Sequence, residues 1–242
     1  MNYFIGSLYG CYDDYQTIKQ TLHLKPIDHL WILGDVLDTI EASPESSLEI
    51  IYDIMKTPNI HLIIGDHEFL HIMKYLEDSN EEMYELWCNL LYNLPISGEP
   101  LAEYLEHNPE EADHIFPYLI NHCEVSQILQ IGNRFFYLCH GFPSPYQKNF
   151  TQWQFLTTTG TIVPDYVPIV KSDISIEMNK SSFTYQNCFV ICSHQDMEEV
   201  SDSCTEVYHK NGVFLLGKHI PGVSIPVLAI DAAGYFVKNI AL

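Results

Sequence analysis

The stretch FIGSLYGCYDD, Phe4 to Asp14, joins a short apolar strand to a helix through a turn bounded by Gly6 and Gly10. Loops of this strand-turn-helix kind present polar side chains at the carboxyl edge of a sheet, where α/β proteins place their sites. The side chains available between the two glycines are Ser7 and Tyr9. The loop has the form of a ligand-bearing segment without strong ligands, and the rest of the chain decides what it belongs to.

The pattern recurs. HLWILG (29–34) and IHLIIG (60–65) are buried strands that end in glycine, as the first strand does at Gly6. Between the first strand and HLWILG, DDYQTIKQTLHL (13–24) sets Tyr15, Ile18 and Leu22 on one helical face. Ser43-Pro44-Glu45 opens a second helix with a cap, a proline in the first turn and an acidic residue matching the dipole. A third helix is expected from about His67. Apolar strands alternating with amphipathic helices predict a sheet covered on both faces.

Residues 81–122 read as helical, broken at Pro95, Pro100, Pro109 and Pro117 into short helices that form a cap over one sheet edge. The second half turns to strands: EVSQILQI (124–131), FFYLCH (135–140) and CFVICSH (188–194). Asn211-Gly212 is a strong hairpin signal, and PVLAID (226–231) with YFVKNIAL (235–242) forms a closing strand pair around Ala233-Gly234. Residues 143–186 are rich in Pro, Thr and Ser and form an irregular excursion near the site. No linker divides the chain, so residues 1–242 are expected to form a single domain.

Charge narrows the partners. The 242 residues carry 32 Asp and Glu against 11 Lys and Arg, a formal net of -21. So acidic a surface repels nucleic acid and anionic membranes. Arg134 is the single arginine, although enzymes that grip phosphate use the planar arginine fork. Seven cysteines without a Cys-x-x-Cys pair, no basic-then-apolar start and no long apolar run predict reduced thiols in a cytoplasmic protein. Cys139 and His140 are adjacent on a strand and point to opposite faces, which rules out a nucleophile-base pair.

Chemistry gathers at the strand ends. Asp35 and Asp38 follow Gly34 in GDVLD; Asp66, His67 and Glu68 follow Gly65 in GDHE; His140 and His194 close FYLCHG and VICSH. These groups should converge on one sheet edge. Two carboxylates and two imidazoles make a borderline ligand set that suits Mn, Fe or Zn and fits Ca or Mg poorly.

The order strand-G-S-L-Y-G, G-D-V-L-D, G-D-H-E and two isolated histidines after strands resembles the motif series strand-G-D-x-H-G, G-D-x-x-D-R-G, G-N-H-E and two histidines of the calcineurin-like metallophosphoesterases. The phosphoprotein (Ser/Thr) phosphatase and diadenosine tetraphosphatase branch is the most similar. The resemblance covers nearly the whole chain and implies a four-layer α/β/β/α sandwich with a helical cap insertion. In that family two metals roughly 3.5–4 Å apart serve an in-line attack on phosphorus. Carried over, it implies Asp35 as the bridging carboxylate, with Asp66, His140 and His194 as the other ligands of the retained metal. His67 would be the general acid, oriented by Asp38.

The departures are grouped. Ser7 and Tyr9 stand where the family holds its first metal with aspartate and histidine, Asp66 replaces an asparagine, and Thr39-Ile40 replaces an Arg-Gly pair. Asp13 and Asp14 read as helix-start residues rather than substitute ligands. One divalent cation facing Asp35 and Asp66 is close to neutral, which weakens both its Lewis acidity and its attraction for phosphate.

Two functions are compatible with this. One is a metal-dependent phosphoester hydrolase, Ser/Thr phosphatase-like, with an altered single-metal site, no second metal, and a phosphorylated small molecule or phosphoprotein as substrate. The other is a catalytically inactive pseudophosphatase that binds a basic protein partner. Nucleotide binding lacks a Gly-rich phosphate loop and a basic patch.

Overall fold

The computed structural model describes residues 1–37, 43–76, 100–141, 188–194, 207–210, 212–217 and 219–242. Two five-stranded sheets face each other. The first has the order β10-β9-β1-β2-β3, from β1 (Asn2–Ile5), β2 (His29–Leu33), β3 (Ile60–Ile63), β9 (Ser224–Ile230) and β10 (Tyr235–Ala241). β1, β2 and β3 run parallel, and β9 and β10 are antiparallel additions. The second has the order β4-β5-β6-β8-β7, from β4 (Ser126–Ile131), β5 (Arg134–Cys139), β6 (Phe189–Cys192), β7 (Tyr208–Lys210) and β8 (Val213–Leu215). Its central strands β5, β6 and β8 are parallel, flanked by antiparallel β4 and β7.

Among the described residues five helices cover the first sheet: α1 (Tyr12–Leu22), α2 (Pro44–Lys56), α3 (Asp66–Tyr75), α4 (Pro100–His107) and α5 (Pro109–His122). Their apolar faces share one core with that sheet; Tyr15, Ile18, Ile51, Phe69, Leu105 and Phe116 are among its members. A second core, including Phe4, Leu33, Ile63, Phe136, Leu138 and Ile191, fills the space between the sheets. The outer face of the second sheet carries a third cluster around Tyr137, Cys139, Val190 and Cys192, and no helix among the described residues packs on it. The sandwich expected from the sequence is present, with the helical layer on the first sheet described.

Local signals are realised as read at α2, where the Ser43 hydroxyl accepts from the Ser46 N–H and Pro44 opens the helix. Lys210 lies opposite Val213 in the antiparallel β7–β8 pair, the strands that flank the Asn211-Gly212 signal. One reading changes. Pro117 lies inside α5 and does not end it. A proline there forfeits one helical hydrogen bond at a cost of about 3 kcal/mol, which burial of Ile115, Phe116 and Leu119 on either side offsets. Of the helical cap expected over 81–122, the described residues include α4 and α5. α4 and α5 lie in the main helical layer, and the chain then reaches the edge of β3, where Glu124 bridges to Ile63. Residues 81–99 and 143–186 lie outside the described residues. No helix among the described residues is long and apolar enough to cross a membrane.

Candidate metal centre

β1, β2 and β3 end at one edge of the first sheet, and β5 and β6 bring the second sheet to the same place. Asp35 follows β2, Asp66 opens α3 after β3, His140 follows β5, and His194 lies two residues beyond β6. One ligand atom from each of these four residues lies within 4.8 Å of every other. The four groups expected from the sequence are thus brought together, three of them buried and His194 half-buried.

The contacts are specific. His140 Nε2 stands 3.1 Å from Asp35 Oδ2, 3.1 Å from Asp66 Oδ1 and 3.1 Å from His194 Nδ1. His194 Nδ1 is 3.3 Å from Asp66 Oδ1. On its other side His140 Nδ1 meets the Leu33 carbonyl at 2.5 Å and Ser193 Oγ at 3.0 Å, and Ser193 Oγ donates to the same carbonyl at 2.5 Å. Anchoring one ring nitrogen on a backbone carbonyl aims the other at the carboxylates, the arrangement that orients metal-binding histidines. It also ties the end of the second sheet to the end of β2.

Burial alone would discharge the His140 ring, yet Asp35 and Asp66 hold its pKa well above the usual value. Burial likewise opposes ionisation of Asp66, but bonds from His140 and His194 push its carboxyl well below the ordinary range. Two buried carboxylates and one cationic imidazole leave negative charge waiting for a cation. The donor set therefore fits a divalent transition metal.

The loops are held by a residue whose role was not read from the sequence. Glu68, fully buried, accepts four backbone N–H groups: Asp35 and Gly65 on Oε2 at 2.8 and 2.9 Å, Val36 and Leu37 on Oε1 at 2.8 and 2.9 Å. Burial and the Asp35 charge push its carboxyl up, and the N–H donors pull it back. The available signal was an acidic residue three positions after the glycine that precedes a helix, the capping spacing. Asp35 sits at φ 53, a left-handed conformation that a non-glycine residue adopts at a cost of about 1 kcal/mol or more. Its N–H on Glu68 and its carbonyl, which accepts from Leu8 and Tyr9 at 2.9 and 2.8 Å, hold it there. His194 (φ 35) and Tyr9 (φ 49) share this strain. The strand-ending glycines are needed for closeness: a Cβ on Gly34 would strike the His140 ring, and one on Gly65 would strike Asp35.

The first-motif residues do something else. Ser7 is buried, and its hydroxyl donates to Asp35 Oδ2 at 3.3 Å. The Tyr9 ring meets the His67 ring edge-on, with centroids 6.1 Å apart. His67 lies in the first turn of α3, its N–H making a long 3.4 Å contact to Asp35 Oδ1. Asp38, its expected partner, lies outside the described residues, as do Thr39 and Ile40. Arg134 begins β5 and donates to the Asp231 carbonyl at 3.1 Å, at the opposite end of the strand from His140 and about 20 Å away by strand rise. Cys139 faces the outer cluster, its thiol pushed well up by burial, and takes no part in the site. Asp14 is more than a helix-start residue. Its carboxylate reaches His219, a contact with no periodic or motif signal in the sequence.

No family model matches the chain. In sequence it is 40% identical over 73 residues to the symmetrical bis(5'-nucleosyl)-tetraphosphatase of Baumannia cicadellinicola subsp. Homalodisca coagulata, a stretch covering 29% of this chain and 24% of that relative. The match thus spans about a quarter of the curated relative. In fold it resembles a protein serine/threonine phosphatase from Saccharomyces cerevisiae, with TM-score 0.59, 12% identity, and coverage of 100% of this chain and 79% of the other. It also resembles a metallophosphoesterase from Sphaerobacter thermophilus, with TM-score 0.56, 14% identity, and coverage of 99% and 87%. The structural likenesses establish the fold.

Proposed function

We propose that this chain, which has the calcineurin-like metallophosphoesterase fold and is related in sequence to a symmetrical tetraphosphatase, is a metal-dependent phosphoester hydrolase with a single-metal site. The observation that carries the reading is the convergence of Asp35, Asp66, His140 and His194 from four separate strand ends onto one point.

Those four side chains would hold one divalent Mn, Fe or Zn. Such an ion supplies Lewis acidity toward a phosphoryl oxygen and makes a water more acidic. The rest is the work of the chain. Asp35 and Asp66 bring two negative charges, so the loaded site is close to neutral and draws a phosphate dianion weakly. Ser193 and the Leu33 carbonyl keep His140 in one orientation. Glu68 keeps the loops after β2 and β3 at fixed separation. His67, at the start of α3, is the proton donor to the leaving oxygen, with Asp38 as its positioning partner. Ser7 on Asp35 Oδ2 occupies the side where a second metal would need an anionic ligand, which supports one metal rather than two.

A second reading, a binding module without turnover, draws on two observations. Ser7 and Tyr9 offer a second metal no charge, and Arg134 is engaged far from the site. A basic protein partner fits a net charge of -21.

The test is metal analysis of protein purified without chelator. Hydrolysis of an aryl phosphate, an aryl phosphodiester, a phosphopeptide and a dinucleoside tetraphosphate with added Mn follows. One metal per chain, and turnover of at least one substrate that Asp35→Asn abolishes, are expected. Metal binding without turnover of any substrate would leave the binding-module reading, and neither metal nor turnover would end the hydrolase reading.

A further inference from the structure

A second group of metal-ligating side chains lies apart from these four. Cys11, Asp14 and His219 each place one ligand atom within 4.8 Å of the other two. Cys11 precedes α1, Asp14 is in its first turn, and His219 comes from the segment leading into β9, 205 residues along the chain from Asp14. Two of the three are buried; Cys11 is half-buried and so within reach of solvent.

His219 Nε2 meets Asp14 Oδ2 at 2.8 Å, and the Gly222 N–H donates to that oxygen at 2.9 Å. Asp14 Oδ1 takes no bond among the described residues. The His219 ring is 1% exposed, and its other nitrogen, Nδ1, lies near the Leu8 backbone. The Cys11 thiol makes a long 3.7 Å contact to the Tyr9 carbonyl. A structural Asp14–His219 pair explains Nε2 and Oδ2. It does not explain why a thiol stands within 4.8 Å of both partners.

We propose that Cys11, Asp14 and His219 form a second, structural metal site for Zn2+, with a water in the fourth position. A thiolate, a carboxylate and an imidazole are a ligand set that Zn2+ accepts in tetrahedral geometry, and one that Mg2+ and Ca2+ disfavour. Charge closes as well, because a thiolate and a carboxylate neutralise the dication in a half-buried place. The protons balance. On binding, the thiol proton leaves to solvent, and the imidazole proton shifts from Nε2, which takes the metal, to Nδ1. That nitrogen lies near the Leu8 backbone, which favours a proton there. With a neutral ring that only changes tautomer, the one proton released per Zn2+ is the thiol's. The bound ion would pin the start of α1 to the segment before β9, next to the loop whose Leu8, Tyr9 and Gly10 N–H groups grip the Asp35 turn.

Cobalt separates this site from the one described above, because only a site with a thiolate gives a sulfur-to-cobalt charge-transfer band. Metal-stripped protein is titrated with Co2+ and, separately, with Zn2+. The band is expected in the wild type and in His140→Ala, and it is expected to vanish in Cys11→Ser. Cys11→Ser should also bind one Zn2+ equivalent fewer than the wild type. Asp14→Asn, which keeps an acceptor for His219 and Gly222, should weaken the Zn2+ step at least tenfold. Calorimetry in buffers of different ionisation enthalpy should return one proton released in that step. The absence of the band in the wild type, its survival in Cys11→Ser, or equal Zn2+ stoichiometry in the two proteins would overturn the proposal. None of these readouts depends on phosphoester hydrolysis.

Discussion

The Ser7 hydroxyl donates to Asp35 Oδ2, the same carboxylate oxygen that stands 3.1 Å from His140 Nε2. A neutral donor therefore stands beside this carboxylate on the Ser7 side. An aspartate at position 7 would place a second carboxylate beside Asp35. Without metal, Ser7→Asp combined with Tyr9→His should destabilise the fold by about 1–3 kcal/mol through like-charge burial. With excess Mn, the double variant should bind one equivalent more than the wild type and recover the loss. Thermal melts with and without Mn, together with metal stoichiometry, check both outcomes.

Ser193 touches the candidate metal centre at one remove. Its hydroxyl bonds the Leu33 carbonyl and His140 Nδ1 together. Ser193→Ala should lower Mn affinity roughly 10–100-fold, as loss of an orienting partner does. Stability should change little, because His140 keeps the Leu33 carbonyl. Calorimetric titration with Mn measures the first, urea unfolding the second.

Glu68 receives four N–H bonds on two oxygens. An amide in its place has one acceptor and turns an NH2 group toward two backbone donors. Glu68→Gln should therefore cost about 3 kcal/mol, seen as a lowered urea midpoint, and should loosen the Asp35 and Asp66 loops so that metal affinity falls with it.

His61 stacks on Trp31 with centroids 4.2 Å apart and meets His29 Nδ1 through its Nε2 at 2.8 Å. Burial, then repulsion from His29, lowers its pKa to about 4. The unfolded chain binds a proton at ordinary histidine pH values while the folded chain does not. Stability from this group is thus fully present above pH 6.5 and is lost as pH falls toward 4. His61→Phe should flatten the stability profile in that window. Urea midpoints of both proteins across pH 4 to 7 test it, and parallel profiles would count against it.

The alternation of apolar strands and helices made the first sheet legible. Buried parallel strands such as HLWIL and IHLI are apolar apart from the half-buried His29 and His61, and glycine must end them where backbones crowd. The ligand types were legible for the same reason, since a site at a sheet edge takes its side chains from the residue after each strand. Pro117 misled because proline propensity is local, while the packing of Phe116 and Leu119 that overrides it is tertiary.

By itself the sequence determined which elements form and which acidic and imidazole groups stand at their ends, because periodicity and strand termini are properties of neighbouring residues. Tertiary structure alone decided which atoms meet. His140 is aimed by the Leu33 carbonyl 107 residues away, four backbone N–H groups converge on Glu68, Ser7 takes up Asp35, and Asp14 finds His219 across 205 residues. Each of these contacts satisfies a buried polar group, and which partner satisfies it depends on the packing of the two sheets rather than on order along the chain.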